Sequence, residues 1–130
     1  MTDEEREALV LLAYLFAQNG KFDKAAIVLR ALEEVFPKDA YTPRLLAECL
    51  LRQGEYLEAL RMTEKLIALG GLSGPERRLA ALLQTQALWG LTRESPDTGN
   101  AWRELYEKSL ALYLDLTEET ATAEHKGKDA

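Results

Sequence analysis

The chain has 130 residues, room for one domain, and carries 16 basic against 22 acidic side chains, a net charge of −6. It has no basic stripe of the kind that nucleic acid requires, and the same balance argues against binding to a membrane surface. A single cysteine, Cys49, excludes an internal disulfide and fits a reducing compartment, so a cytoplasmic location is expected.

The N-terminus, MTDEEREALVLLAYLFAQ, places acids before the apolar run Ala8 to Ala17, whereas a secretory leader begins basic and ends at a small-residue cleavage site. The run is also too short to span a bilayer. Thr2 followed by Glu5 is a capping-box pairing, and the spacing predicts a first helix over Asp3 to Gln18. Its centre is apolar on every face. Leu9, Leu12, Ala13 and Phe16 are expected to pack inward; Leu11 and Leu15 point elsewhere, as an association surface that something outside the core covers.

A second helix, Phe22 to Val35, carries Ala25, Leu29 and Leu32 as an inward stripe and is stopped by Pro37. Thr42-Pro43 reads as an N-cap and first helical residue of a third helix, which runs to about Arg52 with Leu46, Ala47 and Leu50 inward. A fourth helix, Tyr56 to Leu69, has Ala59 and Leu66 inward and ends at Gly70 and Gly71. Ser73-Gly74-Pro75-Glu76 opens a fifth, expected to reach about Trp89 with Leu79, Leu82 and Leu83 on one side and Gly90 at the chain reversal. Leu91 to Gly99, rich in turn residues, is expected as a loop. A sixth helix includes Leu105 to Leu112, with Ser109 at a small-residue position and Trp102 near the place that Ala25 and Ala59 hold in the earlier units. Residues from Thr117 onward lack apolar periodicity and are expected to fray, with His125 a solvated tail residue.

Gly20, Phe22 and Ala25 recur as Gly54, Tyr56 and Ala59, and Leu12-Ala13 recurs as Leu46-Ala47, each pair 34 residues apart. Gly20 and Gly54 stand where a first helix ends and the chain reverses, and Ala25 and Ala59 let the second helix approach the first closely. This period and these residues resemble the tetratricopeptide repeat (TPR). The resemblance implies an all-α TPR-like solenoid of about three helix-turn-helix repeats, six helices, with a short frayed C-terminal tail. The helical domain would be 1–116, with repeats at about 3–37, 40–71 and 74–116, and 117–130 a polar tail.

Such a stack curves, and its first helices line the concave side. The repeat register then implies a groove made by Glu7, Val10, Tyr14, Ala17 and Gln18 on the first helix and Tyr41, Arg44, Glu48, Leu51 and Arg52 on the third. On the fifth it implies Arg77, Ala80, Gln84, Ala87 and Leu88. Tyrosines, aliphatics and arginines together suit an extended or helical peptide with apolar anchors. Val10 and Tyr14 stand where co-chaperones that clamp acidic tails have Lys and Asn, so that function is not expected.

The size, acidic balance and segment AYLFAQNGKFDKAAIVLRALEEVFPKD, residues 13–39, resemble the small TPR chaperones of bacterial type III secretion, the SctY/YscY type in particular and the translocator chaperones in plan. The resemblance implies a chaperone or adaptor that shields a segment of a small secreted partner and presents it to an export machine. An export-gate component and a second copy of the chain are further partners on this reading. The alternative is a self-associating TPR scaffold or co-chaperone. Catalysis is not expected: no Gly-rich phosphate loop or metal-spaced Cys/His cluster is present, and Glu33-Glu34 and Glu118-Glu119 point about 100° apart on a helix. No cofactor or metal is expected. Cys49 is either a reactive thiol or plain packing beside Leu50.

Overall fold

A computed structural model describes residues 1–94 and 99–129, and these form six helices. They are α1 (Asp3–Gln18), α2 (Phe22–Val35), α3 (Tyr41–Gln53), α4 (Tyr56–Leu69), α5 (Gly74–Glu94) and α6 (Gly99–Asp129). Each packs against the next in sequence, and α1 touches α3 as α3 touches α5, so the first helices of successive units lie side by side. This is the TPR-like helical plan. The expectations for residues 95–98 and for the side chain of His125 lie outside what is described.

The first two units reverse by the same device. Gly20 and Gly54 have φ of 74° and 76°, in the left-handed region that suits glycine. The following amide then closes back onto the helix: Lys21 N–H donates to the Phe16 carbonyl at 2.8 Å and Glu55 N–H to the Leu50 carbonyl at 2.9 Å. Ala13, Ala25, Ala47 and Ala59 are fully buried, which is what allows the paired helices to approach. Around them Leu29, Leu32, Leu46 and Leu50 fill the centre. Arg30 on α2 reaches Glu58 on α4 by two hydrogen bonds, 3.0 and 2.7 Å, and the buried Glu33 carboxylate is paired with Lys65.

Two helix starts behave differently from one another. Ser73 and Glu76 form a reciprocal capping box, both bonds 3.3 Å, as the sequence suggests. Thr42, by contrast, is not a cap. The cap side chain of α3 is Asp39, whose carboxylate accepts from the Tyr41 amide at 3.1 Å and the Thr42 hydroxyl at 2.8 Å. Thr42 and Pro43 are buried within the first turn, where the missing proline N–H costs nothing.

The third unit departs from expectation at Gly90. The residue 34 after Gly54 is Leu88, which cannot supply the left-handed turn, so α5 does not reverse there and continues to Glu94. Residues 91–94 are therefore helix and not loop. Gly90 instead falls 34 residues after Tyr56, in the aromatic position, and a Cβ there would overlap the Tyr56 ring. Ser109, buried in α6, shares a 2.8 Å hydrogen bond with Thr85 on α5. Trp102 packs, half-buried, against the core, and Tyr106 meets Trp89 with ring centroids 5.2 Å apart. Past Leu116, α6 extends to Asp129, and the Thr117 and Thr120 hydroxyls donate to carbonyls four residues back. Leu12, expected inward, is exposed on α1.

Candidate partner-binding groove

A groove of about 780 Å³ runs across the first helices of all three units. From α1 it takes Tyr14, Ala17 and Gln18, and from α3 Leu45, Glu48, Cys49, Leu51 and Arg52. Phe22 and Tyr56, the aromatic residues that open the second helices, contribute from below, and α5 supplies Leu79, Leu82, Leu83, Gln86, Trp89 and Arg93. A second hollow of about 660 Å³ adjoins it at Tyr14 and is lined by Asp3, Arg6, Glu7, Val10, Leu11, Asp39 and Tyr41.

Of the residues the register implied, Tyr14, Gln18, Glu48, Leu51 and Arg52 line the groove, and Val10 and Tyr41 line the adjoining hollow. Arg44 lies over the Tyr41 ring, 5.1 Å from its centroid. The fifth-helix positions are corrected. Leu88, with Ala80 and Ala87, is in the core; Gln84 accepts a 3.3 Å hydrogen bond from Ser109 towards α6. Arg77 lines a separate crevice of about 430 Å³ with Ile67, Leu72, Leu112 and Leu116.

The cause is a register error of two residues. Placing the reversal at Gly90 implies a 36-residue offset from the second unit, whereas the groove keeps 34: Leu45, Glu48, Cys49 and Arg52 recur as Leu79, Leu82, Leu83 and Gln86. Two residues on a helix are about 200° of rotation, enough to exchange the buried and open faces. The uninterrupted 34-residue period was the signal that finds these four. Trp89 and Arg93 are different: they reach the groove because α5 continues past the usual reversal.

Burial sets the electrostatics. It pushes the Glu48 carboxyl above its ordinary range, against the pull of Arg44 and Arg52. It raises the Tyr41 phenol, and it lifts the Cys49 thiol to about 11 with help from Glu48, so Cys49 is protonated at neutral pH and is not a nucleophile. For Asp39 burial is outweighed by hydrogen bonds from Thr42, Arg6 and the Tyr41 amide, and its carboxyl sits below the usual range. Arg6 is 3.0 Å from Asp39 and also lies 4.6 Å over the Phe36 ring, which ties α1 to the start of α3. Within a chain of net charge −6 the groove thus offers two arginines, Arg52 and Arg93, against one carboxylate. It can hold apolar side chains and pair an acidic group.

No helix among the described residues is long and apolar enough to cross a membrane. A family model described as anaphase-promoting complex, cyclosome, subunit 3 matches residues 1–66, just over half of the chain. That stretch holds α1 to α3 and most of α4, the two regular units. No curated protein and no solved structure matches.

Proposed function

Because the chain belongs to the anaphase-promoting complex, cyclosome, subunit 3 family of TPR-like helical repeats, we propose that it is a protein-binding scaffold whose concave groove takes a segment of a partner. The observation that carries this is the continuity of the groove across α1, α3 and α5, with Leu82 and Trp89 as apolar anchors and Arg52 and Arg93 as charge partners. The segment that fits is amphipathic, an apolar face with an acidic residue beside it. The test is the affinity of a co-purified partner for the Leu82→Glu variant, measured calorimetrically. Loss of binding with unchanged helicity supports the groove, and unchanged affinity moves the site elsewhere.

The finer reading is a cytoplasmic chaperone that shields a small secreted protein for a type III export machine. It rests on the resemblance of residues 13–39, and it requires a partner that is secreted and poorly soluble when expressed alone. A self-associating scaffold is the second reading, and one observation favours it: Leu11 and Leu15 stand exposed on α1. On either reading no catalytic step is assigned to the chain.

A further inference from the structure

Two ion pairs join the second helices of the regular units, Arg30 on α2 to Glu58 on α4 and Glu33 to Lys65. Among the described residues none joins α4 to α6. The counterpart of Glu33 one period on is Ile67, so a buried carboxylate gives way to an apolar side chain that is 43% exposed. Leu112 on α6 is 48% exposed, and Ile67 and Leu112 line the same crevice of about 430 Å³. The buried Ala81 and Leu116 and the turn Gly70–Leu72 complete its apolar lining. At the register of Gly70 the first unit has Phe36, which packs on the core; a Cβ on Gly70 or Gly71 would meet nothing within 4 Å. The first seam is thus closed by the chain's own side chains, and the second is left open and apolar. Its lining has one charged side chain, the exposed Arg77, which has no ion-pair partner among the described residues.

We propose that this crevice is a second binding site, which takes the C-terminal residue of a partner chain: a large apolar side chain together with its free carboxylate. Ile67, Leu72 and Leu112 supply the apolar contact, and burying them removes surface that the fold leaves in water. The Arg77 guanidinium presents a planar fork that matches a carboxylate. A chain end carries both groups on one Cα, which suits a small hollow with a single cation at its wall. An acidic side chain within a partner would bring the charge but leave the apolar walls to a different residue. An apolar side chain within a partner would leave Arg77 unpaired. The crevice shares no lining residue with the concave groove, so the two sites can be filled at once, by two segments of one partner or by two partners.

The test is a titration of the full chain with the peptide acetyl-glycyl-glycyl-phenylalanine, followed by NMR at the backbone amides of Gly70, Gly71 and Leu72. The free acid is expected to shift these amides at millimolar concentration, and the C-terminal amide of the same peptide to bind at least about tenfold more weakly. Arg77→Gln is expected to abolish the preference for the acid, and Leu112→Glu to abolish binding of both; each replaces an exposed side chain, and unchanged helicity confirms the fold. Leu82→Glu, in the groove, is expected to leave the titration as it is, so this site and the groove reading stand or fall separately. Equal binding of acid and amide to the wild type, or no shift at the Gly70–Leu72 turn, overturns the proposal. So does binding that survives Leu112→Glu and is lost with Leu82→Glu, which would place the peptide in the groove.

Discussion

Tyr56 and Gly90 occupy equivalent positions in successive units, and the ring of one fills the space that a side chain on the other would need. In an unconstrained helix interior Gly→Ala stabilises by about 0.5–1 kcal/mol, so the sign of the effect here is diagnostic. Gly90→Ala is expected to destabilise by about 1–3 kcal/mol through overpacking, and Tyr56→Ala in the same chain to relieve part of it. Denaturant melts of the two single variants and the double variant check this; additive losses would mean that the ring and the glycine are not coupled. Asp39 is the second residue on which local structure depends, since it caps α3 and holds Arg6. Asp39→Ala is expected to cost about 1–2 kcal/mol at neutral pH. Its folded-state carboxyl lies below the ordinary aspartate range, so the stabilisation is present above the unfolded-state value and is lost as pH falls through the folded one. Acid titration of both proteins should show the difference closing in that range. The Asp39 cap was not legible beforehand because Thr42-Pro43 is also a helix-start signal, and what separates the two is that Thr42 is needed in the interior.

At the level of elements, what ends a first helix decides the shape of its unit. Open space surrounds the Cβ positions of Gly20 and Gly54, so replacing either tests backbone conformation alone. Gly54→Ala is expected to cost about 1–2 kcal/mol, and Gly54→Asn less, because asparagine tolerates the left-handed region better. Thermal melts of the pair check the order, and equal losses would implicate packing. The bounds of α1, α2 and α4 follow from these glycines and from the apolar stripes, and so were readable from the sequence. The third unit was not, because its one conspicuous glycine near the reversal, Gly90, serves packing and not turning. Holding to the 34-residue period would have placed Leu82 and Gln86 in the groove. Nothing in the period itself foretells that α5 runs on to Trp89 and Arg93. Between units, the exposed Arg30–Glu58 pair contributes under about 1 kcal/mol. Lys65→Ala is expected to cost more than Glu58→Ala, since it leaves the buried Glu33 carboxylate without its cation. Chemical denaturation of both variants decides the order.

For the whole molecule, the two regular units supply the stack and the departures in the third supply the end of the groove. Leu88 in place of a turn glycine lengthens α5, the longer helix carries Trp89 and Arg93 beside Tyr56, and Arg93 lies over the Trp89 ring at 5.7 Å. An acidic chain thereby presents a concave surface with exposed arginines, and a partner with a complementary acidic group should bind more weakly as salt rises. Titrations at low and high ionic strength test this, and salt-independent affinity would assign the binding to apolar contact alone. The most direct measurement is hydrogen exchange of the chain free and in complex with a co-purified partner. Slowed exchange is predicted in Tyr14–Gln18, Glu48–Arg52 and Leu79–Arg93, the groove segments of the three first helices. Slowing confined to α2 and α4, with those three segments unchanged, would contradict the groove as the partner site.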